Sequence, residues 1–160
     1  VAFYYMYLTT QQFKRDPLTR ALNRRYFYLD ADRLMKSKCL TAVISIDLND
    51  LKRFNDENGH AAGDTALCTI VACIQNILPR GCHLYRTGGD EFMILCSRVS
   101  KDDVPALIDH IRRELSKTLY CCAIGFATPD ADEDFEHICS IADAAMYANK
   151  KQLKGEDTIR

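Results

Sequence analysis

Apolar residues along the chain fall into short blocks whose spacing switches between strand and helix periods. Residues 40–46, Leu-Thr-Ala-Val-Ile-Ser-Ile, form a β-branched run that predicts a buried strand ending at Asp47. Upstream, Asn23 stands where a helix cap is wanted, ahead of a stretch to about residue 38 that sets Phe27, Leu34 and Met35 near one face. Residues 48–58 read as a short helix closed by Gly59, and residues 64–78 as a longer amphipathic helix stopped by Pro79. Residues 82–86 and 92–96 are two strands joined by Thr87-Gly88-Gly89-Asp90-Glu91, a hairpin connection in which glycine is expected to supply positive φ. Asp102 and Asp103 open a helix to about residue 116, and residues 118–126 give a further strand. The last helix runs from residue 134 to about residue 153, where Lys150, Lys151 and Lys154 suit its C-terminal dipole. This order lacks the strict strand–helix alternation of a dinucleotide fold. It predicts an α+β domain with a central, mainly antiparallel sheet flanked by helices.

The 160 residues, 48% of them hydrophobic, suit one compact domain, taken as residues 16–160. A formal net charge of −1 with both signs interspersed gives no nucleic-acid footprint, so any phosphate binding must be local. Eight cysteines include no CxxC pair and no zinc-type cysteine–histidine spacing. They read as small buried hydrophobes in a reducing cytoplasm, and a redox role has no positive support. The sequence carries no signal-peptide pattern and no apolar stretch of about 18 residues. Residues 1–15 are expected to be a truncated linker: Val1 to Leu8 are apolar on nearly every side, and Lys14-Arg15 follow. That segment fits the last turns of a signalling helix, or the cytoplasmic end of a membrane helix. The chain thus reads as a cytoplasmic domain, with a membrane anchor upstream left open.

Three polar constellations interrupt this apolar frame. Ile46-Asp47-Leu48-Asn49-Asp50 places a carboxylate directly after a strand, which suits a hard divalent cation and equally suits a turn or cap. Gly88-Gly89-Asp90-Glu91 puts two acids on a hairpin tip, where glycines would let a nucleotide approach the backbone; a plain glycine turn has the same composition. Lys52, Asn55, Asp56, Gly59, His60, Gly63 and Asp64 form a polar cluster on two helices. An amide and a carboxylate together can read a guanine edge, although caps and a solvated helix face use the same residues.

Taken in order, these spacings resemble the GGDEF family of diguanylate cyclases from about Asp16 to the last helix. Asp16-Pro17-Leu18-Thr19 with Asn23-Arg24-Arg25 is similar to its opening signature, and Asp47-Leu48-Asn49, Lys52, Asn55-Asp56, Gly59-His60 and Gly63-Asp64 to its metal and guanine segment. Gly88 to Phe92 spells GGDEF, preceded by Arg86, and Ala142-Asp143, Ala145-Met146-Tyr147 and Lys150 resemble the closing helix. The resemblance implies a palm-like nucleotidyl cyclase domain that joins two GTP into cyclic di-GMP, works as a homodimer, and answers to an upstream sensor domain. By the same resemblance, Mg²⁺ or Mn²⁺ would be held by Asp47, the Leu48 carbonyl and Asp90. Asn55 and Asp64 would hold guanine with His60 beside them, Gly88 and Gly89 would border the substrate, and Lys52, Lys150 and Lys154 would complete its binding. Asp90 or Glu91 would take the proton of the attacking 3′-hydroxyl.

The chain departs from the family pattern in places. Arg20 stands where the opening signature usually has glycine, and Leu153-Lys154-Gly155 replaces the usual end of the closing helix. Pro79-Arg80-Gly81-Cys82 occupies the place of the RxxD product-inhibition site without its first arginine or last aspartate, so that form of feedback is expected to be absent or weak. Asp64 favours guanine, since relatives making mixed dinucleotides tend to carry a hydroxyl residue there. The alternative reading is a catalytically silent module that binds GTP or cyclic di-GMP for regulation.

Overall fold

The computed structural model describes residues 14–157; of the expected linker or helix end, residues 1–15, all but Lys14 and Arg15 lies outside them. Element order is β1 (Leu22–Asn23), α1 (Arg24–Lys36), β2 (Ala42–Leu48), α2 (Leu51–Asn58), α3 (His60–Gln75), β3 (Cys82–Arg86), β4 (Glu91–Cys96), α4 (Val104–Leu115, after a short 3₁₀ turn), β5 (Cys122–Ala127) and α5 (Phe135–Asp157). The five strands form one sheet in the order β1-β3-β4-β2-β5. Every pairing is antiparallel except β1 with β3, which run parallel, so the sheet is mixed. Strand β1 was not expected from the sequence, because two residues carry no period.

Strand β2 explains the layering. All seven of its residues are buried, and alternation sends Ile44, Ile46 and Leu48 into a core shared with α3 and α4. Val43 turns to the opposite face, where Phe27 and Ala31 of α1 and Ile138 and Ala142 of α5 cover it together with Tyr85, Met93 and Leu95. Ser45 and Asp47 share that second face by the same period of two. A carboxylate is thereby carried into the layer beneath α5.

Local chemistry sets most element ends. The Asn23 side chain accepts from the Tyr26 N–H at 3.1 Å, the expected cap. Gly59, at φ +87°, closes α2 and lets α3 begin at His60 rather than at Asp64. Strand β5 starts four residues later than the apolar run suggests: the Thr118 hydroxyl donates to the Leu115 carbonyl and accepts from the Tyr120 N–H, drawing this segment into a local turn. Arg20 adopts φ +65°, so the opening turn survives without glycine at a cost of about 1 kcal/mol. Gly88 and Gly89 are not among the positive-φ residues, which corrects the expected reason for the hairpin glycines. The cysteines are correct only in part: Cys82 and Cys96 are buried, but Cys39 and Cys121 are exposed, and all eight are free thiols.

Candidate active site

The ends of β2 and β4 meet. Asp47 and Glu91 are register partners, and the Leu48 N–H donates to the Asp90 carbonyl at 3.0 Å, fixing the hairpin tip against the β2 end. Lys150, from α5, reaches Asp47 Oδ1 at 2.5 Å; the Asp47 side chain is only 9% exposed and that of Lys150 24%. Burial works to lower the Lys150 pKa, but the Asp47 carboxylate, with Asp90 and Asp50 behind it, outweighs burial and raises it. The lysine is a fixed cation within the field of three acids.

Of the two tip glycines, one is needed for space. A Cβ on Gly88 would lie 2.5 Å from Glu91 Oε2, so glycine lets the Glu91 carboxylate fold over the turn, whereas a Cβ on Gly89 would meet nothing within 4 Å. Arg86 braces this turn from below, donating to the Gly89 carbonyl at 2.7 Å and to Asp16 Oδ1 at 3.0 Å. Asp16 also accepts from the Thr19 N–H and hydroxyl, so the opening turn and the hairpin tip are tied through one carboxylate. Asp16 and Arg86 each lie in a motif, but only the fold sets them 3.0 Å apart and gives them this bracing role.

Burial would raise the Asp16 pKa, but the Thr19 donors and the Arg86 guanidinium hold it below its ordinary 3.8. A depressed carboxylate stabilises the fold above its ordinary pKa, and that contribution fades as pH falls below about 3.8 through the folded value. Asp16→Asn is therefore expected to cost about 1–3 kcal/mol at pH 7. Urea unfolding of both proteins should show the gap narrowing toward pH 3.

The guanine candidates gather on α2 and α3. Asn55 Oδ1 is buried and has no hydrogen-bond partner, and a Cβ on Gly63 would sit 1.8 Å from it. Only glycine at position 63 leaves room for this amide. Asp64, next along α3, is exposed, as are Lys52 and His60. Asp50, the last residue of the first constellation, adopts φ +56° ahead of α2 and pairs with Lys154 at 3.5 Å. It borders a cavity of about 220 Å³ with Asn49, Phe54, Tyr120 and Lys154. The structure thus brings Asp47, Lys150 and the hairpin tip together at one strand end, with Asn55, Gly63 and Asp64 grouped separately on the helix pair. Burial pushes the Cys122 and Cys139 thiols up to about 12, so neither is a ready nucleophile.

Residues 13–156 match the family model described as "Diguanylate cyclase, GGDEF domain". The chain belongs to the GGDEF family. This GGDEF domain is 28% identical to the diguanylate cyclase DgcM of Escherichia coli over 145 residues, 84% of the chain and 35% of that protein. It is also 32% identical over 123 residues to the E. coli cyclic di-GMP phosphodiesterase PdeR, covering 71% of the chain and 19% of PdeR. The chain therefore spans about a third or less of these curated relatives. Its fold matches a crystal structure of the coiled coil and GGDEF domain of DgcB from Caulobacter crescentus, in complex with c-di-GMP. That match has a TM-score of 0.87 at 23% identity and covers 94% of this chain and 87% of that one. The sheet with flanking helices is the GGDEF architecture. Among the described residues, no helix is long and apolar enough to cross a membrane.

Proposed function

We propose that this domain is a diguanylate cyclase that condenses two GTP into cyclic di-GMP with release of two pyrophosphates. The observation that carries the reading is the buried Asp47 at the end of β2, paired with Lys150 and set beside the Asp90–Glu91 tip. A solvated turn has no need of a buried acid with a lysine brought from another helix.

Asn55 and Asp64 take the guanine, and the partnerless Asn55 oxygen supports a ligand donor there. Lys150 and Lys154 neutralise the triphosphate, and the exposed Lys52 of α2 adds to substrate binding. Asp90 or Glu91 accepts the proton of the 3′-hydroxyl. Its oxygen then bonds to the α-phosphorus of the other GTP, and the bond from that phosphorus to the β-phosphate bridging oxygen breaks, pyrophosphate leaving with the electron pair. Each domain binds one GTP, so two domains must face each other, and an upstream sensor domain is the natural control of that encounter.

Mg²⁺ or Mn²⁺ would be held by the carboxylates of Asp47 and Asp90 and the Leu48 carbonyl. All three donors are hard oxygens, which fit such an ion. Among the described residues, no group of three His, Cys, Asp or Glu side chains is placed to hold a metal alone. That suits a cation taking one or two carboxylates and completing its shell with water and substrate phosphates. The chemistry such an ion supplies when bound is acidification of the hydroxyl and neutralisation of phosphate charge.

A second reading, a module that binds GTP or cyclic di-GMP without turnover, is favoured by the likeness to PdeR, a protein named for a phosphodiesterase activity. Concentrated domain incubated with GTP and Mg²⁺, with product followed by mass, separates the two. Cyclic di-GMP supports the cyclase; GTP binding without product, even in a forced dimer, supports the module. Gly63→Ala tests the guanine site. Because its methyl displaces the Asn55 amide, GTP affinity should fall about tenfold with little loss of stability. Titration calorimetry with a non-reactive GTP analogue measures it, and unchanged affinity would remove Asn55 from the site.

A further inference from the structure

The Asp47–Lys150 pair lies where a cation would be held, and it is closed by the protein itself. Asp47 Oδ1 is bonded to the Lys150 ammonium at 2.5 Å, beneath α5 and almost out of water. A carboxylate so buried needs a counter-charge to remain ionised. Lys150 supplies it across 103 residues of chain. A divalent cation bound to Asp47 would share the carboxylate with this ammonium, and two cations a few ångströms apart repel each other strongly at a site so nearly out of water.

We propose that Lys150 is an internal stand-in for the divalent cation, holding Asp47 in the nucleotide-free domain and yielding it only when a triphosphate draws the ammonium away. The identity of the acceptor rests on the cyclase reading; the exclusion of metal by Lys150 does not. Two consequences follow from charge. Metal alone binds weakly, because it must displace a fixed cation and enter the field of one. Metal and triphosphate bind with positive coupling, since each removes what opposes the other, and by linkage the coupling is equal in both directions. Asp47 is thereby kept neutralised in the nucleotide-free site, and loading of metal waits for substrate.

The test uses Mn²⁺ alone, followed by the electron paramagnetic resonance signal of the free ion, with no nucleotide present. Lys150→Gln is expected to take up Mn²⁺ about tenfold more tightly than the wild type. Adding Asp47→Asn to it should abolish the gain. No gain in Lys150→Gln, or a gain that survives loss of Asp47, overturns the inference. If Lys150→Gln does not fold, ammonium-selective ¹⁵N resonance of the wild type puts the same question: Mg²⁺ together with a non-reactive GTP analogue must shift the Lys150 signal as it leaves Asp47, while the same Mg²⁺ alone must leave it in place, and an unmoved signal with both ligands, or a full shift with Mg²⁺ alone, overturns it. A domain that shows the tighter variant but makes no cyclic di-GMP keeps this inference and loses the cyclase reading. Turnover with unchanged Mn²⁺ uptake does the reverse.

Discussion

On the cyclase reading, Asp90→Ala is expected to lower cyclic di-GMP production about a thousandfold or more and to leave the melting temperature close to that of the parent. The size follows from the part assigned to the side chain: a ligand that places several kcal/mol of charge stabilisation on the reacting phosphate controls that stabilisation when removed. Stability is spared for a separate reason. The link from the hairpin tip to β2 uses the Asp90 carbonyl, which accepts from the Leu48 N–H, and the substitution keeps that carbonyl. Among the described residues none hydrogen-bonds or ion-pairs with the Asp90 carboxylate, which feels Lys150 only through its charge, and changes at sites without such partners usually fall within about 0.5 kcal/mol. Asp47→Asn would be a poorer probe, since it also strips Lys150 of its buried partner. Mass detection of product alongside a thermal melt checks both halves. Turnover surviving in Asp90→Ala would take Asp90 out of the metal and proton chemistry.

The second large effect is structural. Gly125→Ala is expected to destabilise the domain by about 3 kcal/mol or more, at the upper end of what overpacking does. A Cβ at this position in β5 would lie 2.0 Å from the Met146 N, 2.4 Å from the Ala142 carbonyl oxygen and 2.6 Å from the Ala145 carbonyl carbon. These are backbone atoms of α5, so no rotamer change relieves the clash; the helix must lift from the sheet. Lifting it also loosens the Ile124 N–H bond to the Asn149 amide oxygen and moves the neighbouring Lys150 away from Asp47. Stability and turnover should therefore fall together. Urea unfolding gives the first, and an unchanged midpoint would mean that α5 is not seated as tightly as these distances require. A glycine inside an apolar strand signals close backbone approach in general, but the sequence names neither the partner nor the price of filling the gap.

Comparison of these residues separates what was legible from what was not. The Asn23 cap, the β2 run and the β3–β4 hairpin depend on neighbours a few positions apart, so propensity and period mark them. Their boundaries moved where side chains or glycine intervened: Thr118 held back β5, and Gly59 advanced α3 to His60. The hairpin glycines were found for the wrong reason, because their conformation is ordinary and their use is room for Glu91 and an open surface.

The sequence by itself determined the α+β class, the order of elements and the identity of the acids, glycines and lysines that resemble a GGDEF site, since each of these is encoded in local spacing. Tertiary structure alone decided that β1 joins parallel to β3, that Asp16 clamps Arg86, that Gly63 shelters Asn55, and that Lys150 neutralises Asp47. Those contacts join residues from 8 positions apart, for Asn55 and Gly63, to 103, for Asp47 and Lys150. Their geometry is set by sheet order and by the face on which each element lands, and both follow from burying the whole chain at once rather than from any stretch of it.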